Sequence, residues 1–98
     1  MEDEELFEAI RGAALQQQGT MDWEVLRRLL IPHLNELLVS DFHRVLVLLY
    51  RIDVSEKVVR EALEKHVHEK TGGEILADLI IARQQQKVEL RKKYSKKG

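Results

Sequence analysis

The chain has 98 residues, of which 44% are hydrophobic, 34% charged and 5% aromatic, and its formal net charge is −1. This length fits one small domain, and the lack of cysteine excludes disulfides, thiolate metal sites and cysteine nucleophiles. A net charge so near zero excludes a protein coated uniformly in one charge.

The charges are nevertheless segregated along the chain. Residues 1–10 carry five acids and no base, whereas residues 83–98 carry seven Lys or Arg against the single acid Glu89. We therefore divide the chain into an acidic N-terminal helix in residues 1–19, a helical core in residues 20–82, and a basic C-terminal helix and tail in the remainder.

The first segment predicts a helix over residues 3–17. Its apolar residues follow the spacing of one helical stripe, and they are Leu6, Phe7, Ile10, Ala13 and Ala14. Acids at its start suit the positive end of the helix dipole. We expect this helix to flank the core and to be more mobile than it.

The second helix contains a proline. Thr20 or Asp22 is expected to cap its first turn. Pro32 lacks an amide hydrogen and clashes with the preceding turn, so the helix either kinks there or stops near Leu30 and restarts. The apolar stripe keeps its phase across Pro32, which favours the kink.

The third segment, residues 41–52, is the least polar of the chain. An apolar run of this length can also form a buried strand, but a lone strand among helices would leave its backbone groups without partners. We therefore predict a central helix capped by Ser40 or Asp41. Its apolar surface extends around most of the helix and predicts an interface, for which the candidate residues are Phe42, Val45, Val47, Leu48 and Tyr50.

Two further helices complete the predicted architecture. Asp53 or Ser55 is expected to cap a helix over residues 55–68, with Glu56 as the partner in a capping box. Its predicted buried face consists of Val58, Val59, Ala62, Leu63 and Val67. Thr71 and Glu74 form a second capping box, from which the last helix runs to about residue 94, and its second half is expected to project from the body.

The fold prediction is thus an all-α bundle of four to five short helices with a protruding C-terminal helix. The predicted buried centre consists of Leu30, Leu34, Leu37, Phe42, Leu46, Leu49, Leu63, Leu76 and Leu79.

Two stretches carry a resemblance. SDFHRVLVLLYRIDVSE and GGEILADLIIARQQQKVELRKKY, above all their parts LLYRIDVSE and GEILADLIIARQ, resemble a family of short bacterial proteins that are acidic at the front and basic at the back. The resemblance covers about residues 22–94. It implies a natural helical domain of cytoplasmic type, and it brings no activity, ligand or catalytic residue with it.

No arrangement of residues points to catalysis or to a metal. His66 and His68 stand two apart, so on a helix they point about 200° from each other and cannot chelate one ion. The serines and threonines outside the tail stand where helix caps are expected, and no nucleotide-binding or nucleophile motif occurs. We predict a non-enzymatic protein with no catalytic residue, cofactor, metal or small-molecule substrate.

The basic end is the other candidate site. Its positive residues, which would neutralise a row of phosphates on a polyanion, are Arg83, Lys87, Arg91, Lys92, Lys93, Lys96 and Lys97. The tail has no bulky apolar face, so membrane binding is not expected. The chain also has no run of 18 apolar residues and begins with acids, unlike a signal peptide, which predicts a cytoplasmic location.

Together these features predict a non-catalytic module for protein–protein interaction or assembly. The predicted partner is another protein or a second copy of the chain, as in a homodimer. The alternative is a nucleic-acid-binding accessory protein that acts through the basic C-terminal helix.

Overall fold

The computed structural model describes residues 2–15 and 22–95, and these form five α-helices and no strand. The helices are α1 (Asp3–Leu15), α2 (Trp23–Ser40), α3 (Phe42–Arg51), α4 (Glu56–His66) and α5 (Gly72–Ser95). The predicted all-α bundle is therefore confirmed. Within the described ranges, no helix is long and apolar enough to cross a membrane.

The N-terminal helix belongs to the core. Leu6 and Ile10 of α1 are completely buried in the same cluster as the leucines of α2, so the expectation of a flanking helix outside the core is wrong. The end of the predicted helix, residues 16 and 17, and the candidate cap Thr20 lie outside the described residues.

Helix α2 continues through its proline. Asp22 caps it by accepting a hydrogen bond from the Glu24 backbone N–H at 2.9 Å, and the helix then runs without interruption past Pro32 to Ser40. Pro32 is exposed, so water can reach the Arg28 carbonyl that receives no helical hydrogen bond. The alternative of a stop and restart at Pro32 is therefore wrong.

Helix α3 begins and ends in well-defined turns. The Asp41 side chain caps it by accepting from the Arg44 N–H at 3.4 Å. At its end, Asp53 has φ 60° and its N–H donates to the Tyr50 carbonyl, while the Val54 N–H donates to the Leu49 carbonyl. This is a Schellman motif in which Asp53 takes the left-handed position that glycine usually fills.

Helix α4 differs from the prediction in two respects. Ser55 alone caps it, accepting from the Val58 N–H at 3.2 Å, because Asp53 closes α3 instead. Glu56 then stands two residues too early for a capping box and pairs with Arg60 at 2.7 Å. Of the predicted buried face, Val59 is buried, Ala62 and Leu63 are half-buried, and Val58 and Val67 are exposed.

Helix α5 crosses the whole molecule and packs most extensively on α2. Thr71 and Glu74 form the predicted capping box, with reciprocal bonds of 2.9 and 3.2 Å. The second half projects only in part, because α5 also packs against α1 and keeps Val88 buried. Only the last two turns become mostly exposed.

The centre of the bundle agrees with the prediction for five of the nine residues: Leu30, Leu34, Leu37, Leu49 and Leu76. Three others, Leu46, Leu63 and Leu79, are half-buried. Phe42 is 46% exposed, which contradicts its assignment to the core. It is the first residue of α3, and the buried side of that helix is formed one turn later.

Candidate partner-binding cleft

A cleft of about 550 Å³ lies between α1, the end of α3 and the second half of α5. Its apolar lining consists of Phe7, Ala14, Ile52, Leu90 and Tyr94. The cleft exists because α1 and α5 pack closely around Val88 and then leave Leu90 and Tyr94 without full cover, 45% and 68% exposed.

Four cations surround this apolar surface: Arg11, Arg51, Lys87 and Arg91. None of the described residues that line the cleft is acidic. The cations come from three different helices or their ends, so the positive charge at this place arises only in the folded chain.

Arg51 forms one wall. Its guanidinium makes two hydrogen bonds to the Glu4 carboxylate, at 3.0 and 3.1 Å, and lies 3.8 Å from the centroid of the Phe7 ring. The charged hydrogen bonds lower the pKa of Glu4 and raise the pKa of Arg51. This stacking fixes the aromatic ring at the mouth of the cleft.

Asp53 contacts two basic residues of α5, of which Lys87 lines the cleft. Its carboxylate accepts a hydrogen bond from Lys87 Nζ at 3.1 Å, and its backbone carbonyl accepts one from Arg83 Nε at 3.1 Å. The left-handed turn at Asp53 therefore connects the end of α3 to α5 through two basic residues.

Arg91 closes the cleft against α1. Its Nη2 donates a hydrogen bond to the carbonyl oxygen of Ala14, which lies in the last turn of α1. A cation at the C-terminal end of a helix is favourable because it meets unpaired carbonyls and the negative end of the dipole.

Gln84 is the polar residue buried in the cleft lining. Its side chain is only 3% exposed, and its Nε2 has no hydrogen-bond partner among residues 2–15 and 22–95. A buried amide donor without a partner costs about 1–3 kcal/mol. Each such group in a native fold calls for an explanation.

The basic residues predicted to bind a polyanion lie in different environments. Arg83, Lys87 and Arg91 contact the body of the protein, as described above. Lys92 and Lys93 are exposed in the last turn of α5, and Lys96 and Lys97 lie outside the described residues. The five described residues therefore do not form one uninterrupted row for phosphates.

The predicted interface on α3 needs a correction. Val45 and Leu48 are 0% and 4% exposed, because they pack into the core of the same chain. They cannot meet a partner. Phe42, Val47 and Tyr50 are exposed on the other side of α3, and self-association through them stays a prediction.

The acidic start of α1 pairs with basic residues of α3. Arg44 donates two hydrogen bonds of 2.7 Å to Asp3, and His33 lies 3.4 Å from the same carboxylate. The Arg44 bonds, which outweigh partial burial, lower the pKa of Asp3. With Glu4 on Arg51, these pairs hold α1 across α3.

His66 and His68, at and just beyond the end of α4, were considered as metal ligands. Across the described ranges there is no group of three or more His, Cys, Asp or Glu side chains arranged to hold an ion. His66 Nδ1 lies 3.2 Å from Glu69, one turn further along. The residues at this helix end thus pair locally.

Several lining residues were not predicted from the sequence, including Phe7, Arg51 and Gln84. One signal was present for Gln84, because it follows Ile80 and Ile81 at helical spacing and precedes Val88 by four. A glutamine in the phase of a buried stripe indicates a special position. The cleft itself depends on how α1 packs, which the periodicity does not encode.

Comparisons with protein-family models, curated proteins and solved structures found no match for this chain.

Proposed function

We propose that the chain is a non-catalytic protein-interaction module, and that its cleft binds an acidic amphipathic helix of a partner protein. The observation that carries this proposal is an apolar surface surrounded by four cations from three elements. Apolar contact supplies the affinity for a helix laid in a groove, and complementary charge selects the partner and its orientation.

The dimensions of the cleft support a helical occupant. Its lining residues on α5 extend from Gln84 to Tyr94, which corresponds to about 15 Å along the helix axis at 1.5 Å per residue. A partner helix of about three turns covers this length. Its apolar side chains would meet Phe7, Leu90 and Tyr94, and its acids would meet the cations.

The acids that already contact these cations do not prevent docking. Glu8, Glu4 and Asp53 pair with Arg11, Arg51 and Lys87, and all three acidic side chains are more than half exposed. Exposed ion pairs contribute only about 0–1 kcal/mol each. A partner carboxylate can therefore replace them at little cost.

The test uses a synthetic helical peptide with leucines on one face and glutamates on the other. A second peptide carries lysines in place of the glutamates. We expect the acidic peptide to bind and to weaken with added salt, and the lysine peptide not to bind, as measured by fluorescence anisotropy. Equal binding of both, or of neither, contradicts the proposal.

A matched pair of charge reversals locates the binding. The variant Arg11→Glu/Lys87→Glu changes two cations of the cleft, and Lys57→Glu/Lys65→Glu changes two exposed cations of α4 by the same net charge. Only the first is expected to abolish binding of the acidic peptide. Equal losses would assign the effect to overall charge.

The same assay examines the nucleic-acid alternative. Binding of DNA or RNA at moderate salt, together with no binding of the acidic peptide, would favour the basic helix as a polyanion site.

We place the partner in the cytoplasm, where a chain without cysteine needs no oxidising environment. Sedimentation at micromolar concentration tests the self-association predicted from the sequence, which a single 11.5 kDa species would contradict.

A further inference from the structure

Gln84 is a costly choice for its position. It occupies the phase of α5 that buries Ile81 and Val88, where an apolar side chain would pack without leaving a donor unpaired. Its Nε2 has no hydrogen-bond partner within the described part of the chain. It lines the cleft together with the four cations.

We propose that Gln84 is the buried hydrogen-bond donor that recognises an acidic side chain of the docked helix. This inference rests on the proposed function and specifies its anchor. The terminal torsion of a glutamine is broad, so rotation of the amide can bring Nε2 to an oxygen that enters the cleft. The bound carboxylate would then satisfy the donor.

The surrounding charges favour a carboxylate as the acceptor. Lys87 stands one turn after Gln84 on α5, and Arg91 stands two turns after it, both on the cleft. An acidic group beside Gln84 therefore lies close to two cations as well as the neutral donor. Hydrogen bonds to a charged group are roughly twice as strong as neutral ones.

The substitution Gln84→Met removes the donor and keeps an unbranched side chain of similar length. We expect it to weaken binding of the acidic leucine–glutamate peptide by about tenfold, while the free variant resists urea better than the wild type. Gln85→Met makes the same change at an exposed neighbouring position. That control is expected to leave the affinity within about twofold.

The outcomes separate this inference from the proposed function. If the wild type binds the acidic peptide and Gln84→Met binds it equally well, the role of Gln84 is overturned and the docking proposal stands. If the wild type does not bind, both are overturned. A shift of the Gln84 side-chain amide resonance in the wild type on addition of the peptide gives a second readout, expected for a donor and absent for a purely structural residue.

Discussion

Gly73 in α5 tests how closely α2 and α5 pack, and Gly12 in α1 serves as a comparison at an open surface. A Cβ at Gly73 would lie 2.6 Å from the Ile31 carbonyl oxygen and 2.6 Å from Asn35 Oδ1. Asn35 Oδ1 also accepts a 2.7 Å hydrogen bond from the Gly73 N–H. By contrast, a Cβ at Gly12 of α1 would meet nothing within 4 Å.

The expected changes in the free energy of unfolding have opposite signs at the two glycines. Alanine is favoured over glycine inside a helix by about 1 kcal/mol, which is the expected gain in unfolding free energy for Gly12→Ala. At Gly73 the overlap involves a backbone carbonyl that cannot rotate away, so α2 and α5 must separate at a cost of about 1–3 kcal/mol. Weakening the Asn35 bond adds about 1 kcal/mol, and we expect a net loss of about 2 kcal/mol for Gly73→Ala.

Urea denaturation followed by circular dichroism at 222 nm measures both variants. The expected midpoints lie above the wild type for Gly12→Ala and below it for Gly73→Ala. A Gly73→Ala protein as stable as the wild type would refute the close approach of α2 to the start of α5. A loss of stability at Gly12 would refute the open surface given to α1.

Three further predictions concern the cleft and the ion pairs of the fold. Replacing Asp53 by glycine relieves a left-handed backbone at the cost of one exposed ion pair, so the melting temperature is expected to rise by about 4–8 °C; a fall would contradict the Schellman turn. Glu4→Gln removes the acid that competes for Arg51 and is expected to tighten binding of the acidic peptide about threefold, whereas the control Glu5→Gln is not; equal effects would mean that only net charge matters. Hydrogen bonds from Arg27 and then from Lys70 outweigh partial burial and lower the pKa of Asp78 in the folded chain. The ionised carboxylate therefore stabilises the fold fully at a pH above its unfolded pKa near 3.8, and this stabilisation is lost as the pH falls through the lower pKa of the folded state. Urea midpoints of Asp78→Asn are therefore expected below the wild type at pH 6 and close to it at pH 2.5, and a difference that is independent of pH would contradict the ion pair.

Local sequence signals predicted most of the helical architecture. The bounds of α3 and the start of α5 follow from side-chain caps and apolar spacing, which act over a few residues. Asp22, Asp41 and Thr71 all cap as their positions predict. Asp53 did not, because the same residue type suits both an N-cap and a left-handed turn, and Ser55 stood two residues later to take the cap.

Tertiary pairing explains the remaining errors. The sequence shows a basic second half of α5, but only the folded chain brings α1 onto it and keeps Val88 buried. Likewise, α3 is apolar on most sides, yet packing selects Val45 and Leu48 for the core and leaves Phe42 outside. The cleft arises from such contacts between residues distant in the sequence, so no local pattern predicted it.

The proposed binding site for the acidic amphipathic helix lies between α1, the end of α3 and α5. Nuclear magnetic resonance of the ¹⁵N-labelled protein, titrated with the leucine–glutamate peptide, tests it most directly. We expect amide shifts concentrated at Phe7, Ile52 and the residues of α5 from Gln84 to Tyr94, with little change on α4. Shifts centred on α4, or a spectrum unchanged at millimolar peptide, would contradict it.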